Sequence, residues 1–435
     1  MSMISTKQFL IVSLTLMLSA CATNSSNIAP GGERAQRPED VGFSTERLQK
    51  LTSRMREGVT KGEYPGAVLI IGRQGKIAYQ ETFGVLNPDT AAPMRDDAIF
   101  RIASMTKPFA SLAIMMLSEE GKLSIADRVD KYIPEFKDLK VGVVKAGADG
   151  KPALTLEPQR KPMTVQDLLR HTAGFTYGDD NHPVKRAYQE AKIGDRNDTS
   201  DAYIAKLARA PLLHQPGTTW EYSVAVDVLG VIVERVSGLP LDRFIVERIA
   251  KPLKLPDTGF AAPQSQAVRG ARPQREGPKN VVPNIPLITD IQTFKSGGGG
   301  MVSTAADYAR FSQFLLNGGE LDGVRLVSPK TMELMTVNHL PPGTRIGPDM
   351  VRFEALAPSS EMGQGFGLGF AVRTNAGRNP LPGSIGDYYW GGAQGTYFWV
   401  DPREKLYVVF MMQSPAARLS YRFLLRQMVY QALVR

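Results

Sequence analysis

Ser104-Met105-Thr106-Lys107 sets a hydroxyl and an amine three residues apart at the head of a helical pattern. Phe109, Leu112, Ala113, Met116 and Leu117 recur at the helical period, and Gly121 supplies a stop. Pro108 cannot lie deep inside that helix, because its ring would clash with the carbonyl four residues back, so the first turn is expected close to Ser104. Positions i and i+3 share a helix face with Cβ atoms about 5–6 Å apart, which brings the Lys107 amine within reach of the Ser104 hydroxyl. The positive end of the helix dipole favours the alkoxide formed when that serine loses its proton. A helix apolar nearly all round is a buried one, and burial disfavours a charged ammonium, which makes a lysine so placed a usable base. A helix-capping serine followed by an exposed lysine would carry the same four letters; the chain holds no second Ser-x-x-Lys.

Two further groups stand far from this pair along the chain. Tyr222, in Trp220-Glu221-Tyr222-Ser223-Val224, follows a Pro216-Gly217-Thr218-Thr219 turn and precedes a helical run from Val224 to Val236 that Gly238 closes. A tyrosine at such a junction either aims its phenol into a cleft or packs as a structural ring. Tyr389-Trp390-Gly391-Gly392-Ala393 is flanked by strand patterns, Thr396 to Val400 and Leu406 to Met412, with an Asp401-Pro402 turn between them. Glycines there let a backbone approach an acyl group closely, or mark a bulge on an edge strand. His171, His182, His214 and His339 show no paired spacing, and Cys21 is the only cysteine, so neither a metal site nor a disulfide within the chain is expected. No Gly-x-Ser-x-Gly elbow occurs, which excludes an α/β-hydrolase triad as the source of any ester cleavage.

The run from Phe100 to Pro108 resembles the nucleophile segment of the superfamily of serine β-lactamases, penicillin-binding proteins and family VIII carboxylesterases, and the likeness extends from about residue 41 to the C-terminus. The resemblance implies an α/β (α+β) fold, an antiparallel sheet flanked by helices with a mainly helical subdomain, and no cofactor. It implies Ser104 as nucleophile, Lys107 as its base and Tyr222 as the proton relay. It also implies an oxyanion hole from the amides of Ser104 and Ala393 on the strand that carries Trp390, Gly391 and Gly392, and a structural, buried role for His171. Two positions depart from the lactamase pattern. Val224 stands where Asn usually binds the substrate amide, and Trp-Gly-Gly replaces the Lys-Thr-Gly whose cation selects an anionic substrate. Trp-Gly-Gly is the form seen in family VIII esterases. The implied function is therefore a serine hydrolase acting through an acyl-enzyme on small esters. A β-lactamase or D-alanyl-D-alanine carboxypeptidase is the alternative, and an inactive binding protein of the same fold a further one.

The elements that must position these groups are readable. Ser44 to Arg47 opens a helix with Leu48, Leu51 and Met55 on one face; Ala67 to Gly72 and Lys76 to Tyr79 read as strands joined at Arg73-Gln74-Gly75. Thr164 caps a helix from Val165 to Arg170, and Ser303-Thr304 starts another that carries Phe311 and Leu315. Residues 262 to 300, with little period and ending in four glycines, are expected to form a mobile cleft wall. The sheet-bearing part is expected at about 41–110 and 300–435, and the helical part at about 111–299.

At the N-terminus, Lys7 and the apolar run Phe9 to Leu18 read as a signal peptide over residues 1–20. Leu18-Ser19-Ala20-Cys21 matches the bacterial lipoprotein box, so Cys21 is expected to carry a lipid that anchors the exported chain to the cell envelope, with Ala22 pointing to the outer membrane, periplasmic side. Residues 21–40 read as a flexible tether. The net charge of +9 is mild for 435 residues and is not gathered in long basic runs, so a small-molecule ester or β-lactam is the expected partner and nucleic acid is not. Oligomeric state is not written in the sequence.

Overall fold

Val68 to Ile71 is an unbroken run of branched apolar residues, a composition that suits a strand covered on both faces. In the computed structural model, which describes residues 31–146, 152–277 and 279–435, this run is the middle of β1 (Gly66–Arg73), buried along its whole length. Gln74 and Gly75 take positive φ (53° and 81°), the left-handed pair of a two-residue hairpin, and return the chain into β2 (Lys76–Asn87). The other strands of the same sheet are β3 (Ala92–Pro93), β4 (Gln364–Phe366), β5 (Ala371–Arg373), β6 (Tyr388–Gly391), β7 (Tyr397–Asp401) and β8 (Leu406–Met412). Together they form one eight-stranded sheet in the order β4-β5-β6-β7-β8-β1-β2-β3, every pair antiparallel. The sheet therefore sets residues 66–93 beside residues 364–412, and residues between these two segments line much of the cleft. This is the α/β (α+β) arrangement the sequence led us to expect.

Helices cover both faces. Phe398 of β7 pairs with Val409 of β8, so these two share one face, while the paired Tyr397 and Phe410 share the other. Tyr308, on the helix Ala305–Leu316, meets Phe398 at 5.0 Å, and Tyr421, on the C-terminal helix Arg418–Tyr430, stacks over Phe410. Those two helices thus lie on opposite sides. The N-terminal helix Thr45–Thr60, capped by Ser44, packs beside the C-terminal one. The nucleophile segment leads into the helix Lys107–Glu119, whose residues are buried from Lys107 to Leu117, and which packs on the helix Ala225–Ser237. A 3₁₀ turn, Ala103–Thr106, precedes that helix, so Ser104 sits on a tighter turn just ahead of the α-helix. Between the nucleophile helix and residue 299 the structure is mainly helical but includes an antiparallel ribbon, Lys140–Ala146 with Pro152–Pro158.

The Arg101 side chain is one of the ties between residues 262 to 300 and the nucleophile segment. The buried Arg101 guanidinium donates to the carbonyls of Phe260, Leu287, Asp290 and Gly300. Burial pulls that guanidinium down to about 10, which leaves it charged at neutral pH. Among the described residues no helix is long and apolar enough to cross a membrane. The signal peptide, the lipidation position Cys21 and the tether up to residue 30 lie outside the described residues.

A second buried arginine network fixes the sheet to the C-terminal helix. Asp387 accepts from Arg373 Nε at 3.0 Å and from Arg426 Nη1 at 2.9 Å, with all three side chains essentially without solvent contact. Arg426 also donates to Tyr397 and lies over the Trp399 ring at 4.7 Å. Asp387→Ala would leave two guanidinium groups sharing no acceptor. The expected cost is about 3–5 kcal/mol, measured by denaturant unfolding; a loss below about 1 kcal/mol would show that the pair is compensated elsewhere.

Candidate active site

Ser104 and Lys107 face each other as the spacing requires: Lys107 Nζ lies 3.3 Å from Ser104 Oγ. The 3₁₀ turn that carries the serine is held at three points. Met301 N donates to Thr106 Oγ1 at 3.1 Å, Tyr308 OH donates to the Met105 carbonyl at 3.0 Å, and Ile102 N donates to the Met301 carbonyl at 3.1 Å. Pro108 occupies the first turn of the helix, where a missing N–H costs nothing.

The lysine is only 1% exposed, so its polar head needs partners. It donates to the Gly298 carbonyl at 2.7 Å and lies 3.3 Å from the Tyr177 hydroxyl. Gly298 in turn donates its N–H to Asp227 Oδ1 at 3.0 Å, and Ser296 Oγ donates to the same oxygen. Burial pushes the Asp227 carboxyl up, with the Lys107 charge opposing that shift. The first two residues of the glycine run are glycine for space. A Cβ at Gly297 would come within 2.7 Å of the Val226 carbonyl, and one at Gly298 within 2.6 Å of Asp227 Oδ2.

Tyr222 sits on the same wall. Its ring centroid lies 4.6 Å from Lys107 Nζ, and its hydroxyl accepts a hydrogen bond from Trp390 Nε1 at 3.2 Å. Glu221, buried beside it, accepts from Thr176 Oγ1 at 3.1 Å and lies 3.5 Å from Lys185 Nζ, which fixes the chain just before the phenol. The family resemblance implied one phenol near the lysine; the structure brings two, with Tyr177 making the direct contact and Tyr222 flanking it. Tyr177 follows His171-Thr172-Ala173-Gly174-Phe175 by two residues, and only its proximity to a recognisable motif could have flagged it.

Trp390 and Gly391 end β6, and the chain turns through Gly392 and Ala393 into β7. The turn is closed by Gly392 N to the Thr396 carbonyl at 2.8 Å and fastened to the nucleophile segment by Thr396 Oγ1 to the Ile102 carbonyl at 3.1 Å. Gly392 seats so tightly that a Cβ would lie 2.4 Å from the Ile102 carbonyl. Ala393 is exposed at the cleft, and among the described residues its N–H has no acceptor. Ser104, Tyr222, Trp390, Gly391 and Ala393 all line one cavity of about 600 Å³, with Phe353 on its apolar side. That volume suits a small organic substrate. Among the described residues no cluster of acids, cysteines or histidines could hold a metal ion.

His171 is buried, with its ring 4.9 Å from that of Tyr222 and 5.4 Å from that of Phe366. Among the described residues the ring's hydrogen-bond neighbour is Ser223 Oγ, 3.3 Å from Nδ1. Burial, helped by the nearby Lys107 charge, holds it well below the usual histidine range. The imidazole is a neutral packing group, and among the described residues no hydrogen bond joins it to Ser104.

A family model described as Beta-lactamase matches residues 51–428. Protein Rv1367c of Mycobacterium tuberculosis (strain ATCC 25618 / H37Rv) is 37% identical over 367 residues, covering 82% of this chain and 88% of the relative. Esterase EstB of Burkholderia gladioli is 30% identical over 376 residues, covering 80% and 86%. Among solved structures, EstCE1, described as a hydrolase with promiscuous acyltransferase activity, matches with a TM-score of 0.72 at 27% identity, covering 92% of this chain and 99% of that one.

The neutral His171 sets a pH dependence. An unfolded histidine takes up a proton near pH 6.5, whereas the buried one does so only at much lower pH, so the unfolded chain binds the extra proton and stability falls as acid is added below about 6.5. His171→Gln is expected to flatten that slope between about pH 6.5 and 5, read from thermal melts across the range. An unchanged slope would mean that the imidazole charges in the folded protein.

Proposed function

This chain belongs to the Beta-lactamase family, and from that premise we propose that its serine hydrolase chemistry is directed at small esters through an acyl-enzyme on Ser104. The observation that carries the reading is Trp390. An indole holds the strand position at which lactamases and peptidases present a lysine to the substrate carboxylate, and its N–H is committed to the Tyr222 oxygen. Val224, apolar and buried, offers no amide to a peptide-like substrate.

The chemistry follows from the contacts. Lys107, oriented by the Gly298 carbonyl, takes the proton from Ser104 as its oxygen attacks the ester carbonyl. Charge then gathers on the former carbonyl oxygen, which the N–H groups of Ser104 and Ala393 receive; one such donor is worth on the order of 10²- to 10³-fold in rate. Tyr222 passes a proton to the departing alkoxide and regains one from Lys107, while Tyr177 steadies the amine. Water, activated along the same route, releases the acid and restores the serine.

Arg196 and Arg418 also line the cavity, and their charge supports the second reading, a β-lactam or D-alanyl peptide substrate whose carboxylate meets an arginine instead of the strand lysine. At the N-terminus, the Leu18-Ser19-Ala20-Cys21 box supports lipid anchoring of the exported chain at the bacterial envelope, on the periplasmic side of the outer membrane.

Three substrates separate the readings: a short-chain p-nitrophenyl ester, a chromogenic cephalosporin and a fluorescent penicillin. Turnover of the ester alone is the expected result; cephalosporin opening or slow penicillin labelling would transfer the assignment to the second reading, and silence towards all three to a binding protein. Ser104→Ala should abolish ester hydrolysis with an unchanged melting temperature. Tyr222→Phe should lower kcat by about 10²-fold or more, as for loss of a general acid, against less than about tenfold for Tyr177→Phe. Cys21→Ser should abolish incorporation of labelled palmitate and release the protein from the membrane fraction; retained labelling would reject the anchor.

A further inference from the structure

Arg422 is a buried arginine with no carboxylate beside it. It rises from the C-terminal helix under the β6–β7 turn, and among the described residues no acid pairs with it. Its Nε is buried without a hydrogen-bond partner. Desolvating an unpaired guanidinium is costly, so its few contacts should matter to the structure or to the chemistry. Those contacts are specific. Nη2 donates to the Gly392 carbonyl at 2.6 Å and to the Thr396 carbonyl at 3.2 Å, and the guanidinium carbon lies 5.5 Å from the centre of the Tyr397 ring.

The Gly392 carbonyl and the Ala393 N–H belong to one planar peptide, in which C=O and N–H point in opposite directions. Whatever grips the carbonyl from beneath therefore aims the N–H at the cleft above. Gly395 N also donates to this carbonyl, at 3.1 Å, but that bond lies within the turn and moves with it; the guanidinium is anchored on a different element. A charged donor on the carbonyl oxygen also polarises the peptide and makes its N–H a stronger donor. Gly391 completes the arrangement. A Cβ at that position would lie 2.5 Å from the Arg422 guanidinium carbon and 2.6 Å from Nη2, so the glycine is the socket in which the guanidinium seats.

The geometry points to Arg422 as a positioning residue for the oxyanion hole: by holding the Gly392 carbonyl it orients and polarises the Ala393 N–H, and Gly391 exists to admit it. This inference rests on the reading of Ala393 as an oxyanion donor and deepens it. Arg422 also borders the cavity, and in this role it acts through the Ala393 N–H. Its influence should appear where negative charge develops and not where substrate is first bound.

The test uses the full chain with Arg422→Lys, Arg422→Gln and Gly391→Ala, the last keeping the arginine but displacing it. For each variant that melts cooperatively, kcat and KM are measured with a short p-nitrophenyl ester, together with inhibition by a trifluoromethyl ketone, which forms a tetrahedral oxyanion on a serine. Expected is a fall in kcat of about 10- to 100-fold, below or near the loss of one full donor, with KM within about threefold. Ketone affinity should fall in parallel, and Lys should retain more activity than Gln because it keeps a charge near the carbonyl. A folded variant with kcat within threefold of the parent, an increase in KM alone, or unchanged ketone affinity would overturn the inference. So would loss of fold in all three variants, which would make the guanidinium a framework group only. Labelling of Ser104 by a fluorophosphonate in the parent is the control. If it fails, the proposed acyl-enzyme falls; if it succeeds and the variants are as fast as the parent, only the role of Arg422 falls.

Discussion

The structure depends on how a buried amine is kept in company. Lys107 has almost no access to water, and leaving its head unpaired there would cost several kcal/mol. The Gly298 carbonyl at 2.7 Å meets most of that demand, and it can do so because Asp227 and Ser296 hold the glycine loop from behind. The helix Ala225–Ser237 thus does two things at once. It packs on the nucleophile helix, and it presents a carboxylate that fixes the loop closing over the lysine. Side chains at Gly297 or Gly298 would drive the two elements apart.

The same economy operates on the opposite side of the cleft. The nucleophile segment and the β6–β7 turn are stitched directly to one another by Thr396 and Ile102, and Gln413 Nε2 adds a bond to the Arg101 carbonyl at 3.1 Å. The two candidate oxyanion donors are therefore set on neighbouring, mutually braced backbone rather than on independent loops. Preorganised donors avoid reorganisation when charge appears, which is why rigidity is concentrated here. Three arginines, Arg101, Arg422 and Arg426, are buried around this framework, and the first two spend their hydrogen bonds on carbonyl groups.

An aromatic wall separates the polar centre from the sheet. Tyr222 meets Trp390 at 5.1 Å, Phe353 at 5.7 Å and His171 at 4.9 Å, mostly in tilted or edge-on arrangements. Rings in such contacts resist displacement, and each is worth about 0.5–1.5 kcal/mol beyond its buried area. The wall gives the Tyr222 phenol a defined position and makes that side of the cavity apolar, a setting suited to an acyl chain. A water-filled cleft of the same shape would screen the very charges the site must stabilise.

Much was legible along the chain. Side-chain caps at Ser44, Thr164 and Thr304 mark helix starts because each bonds a backbone N–H two or three residues on, and β8 runs from Leu406 to Met412 as its unbroken apolar run indicated. Ser104 and Lys107 meet because three residues of helical backbone leave them little choice. Other features have no local signature. β4 and β5 are three residues each, too short for a period to show, and exist because neighbours pair with them. Sequence alone thus determined that Ser104 and Lys107 would meet, the antiparallel sheet with its helices, and the chemical character of the strand that bears Trp390. Only the tertiary structure decided that Tyr177 would touch the lysine, that the Gly298 carbonyl would hold it, and that Arg422 would reach the Gly392 carbonyl. Those contacts join residues 70, 191 and 30 positions apart, and across such separations it is packing of whole elements, not backbone geometry, that sets which groups meet.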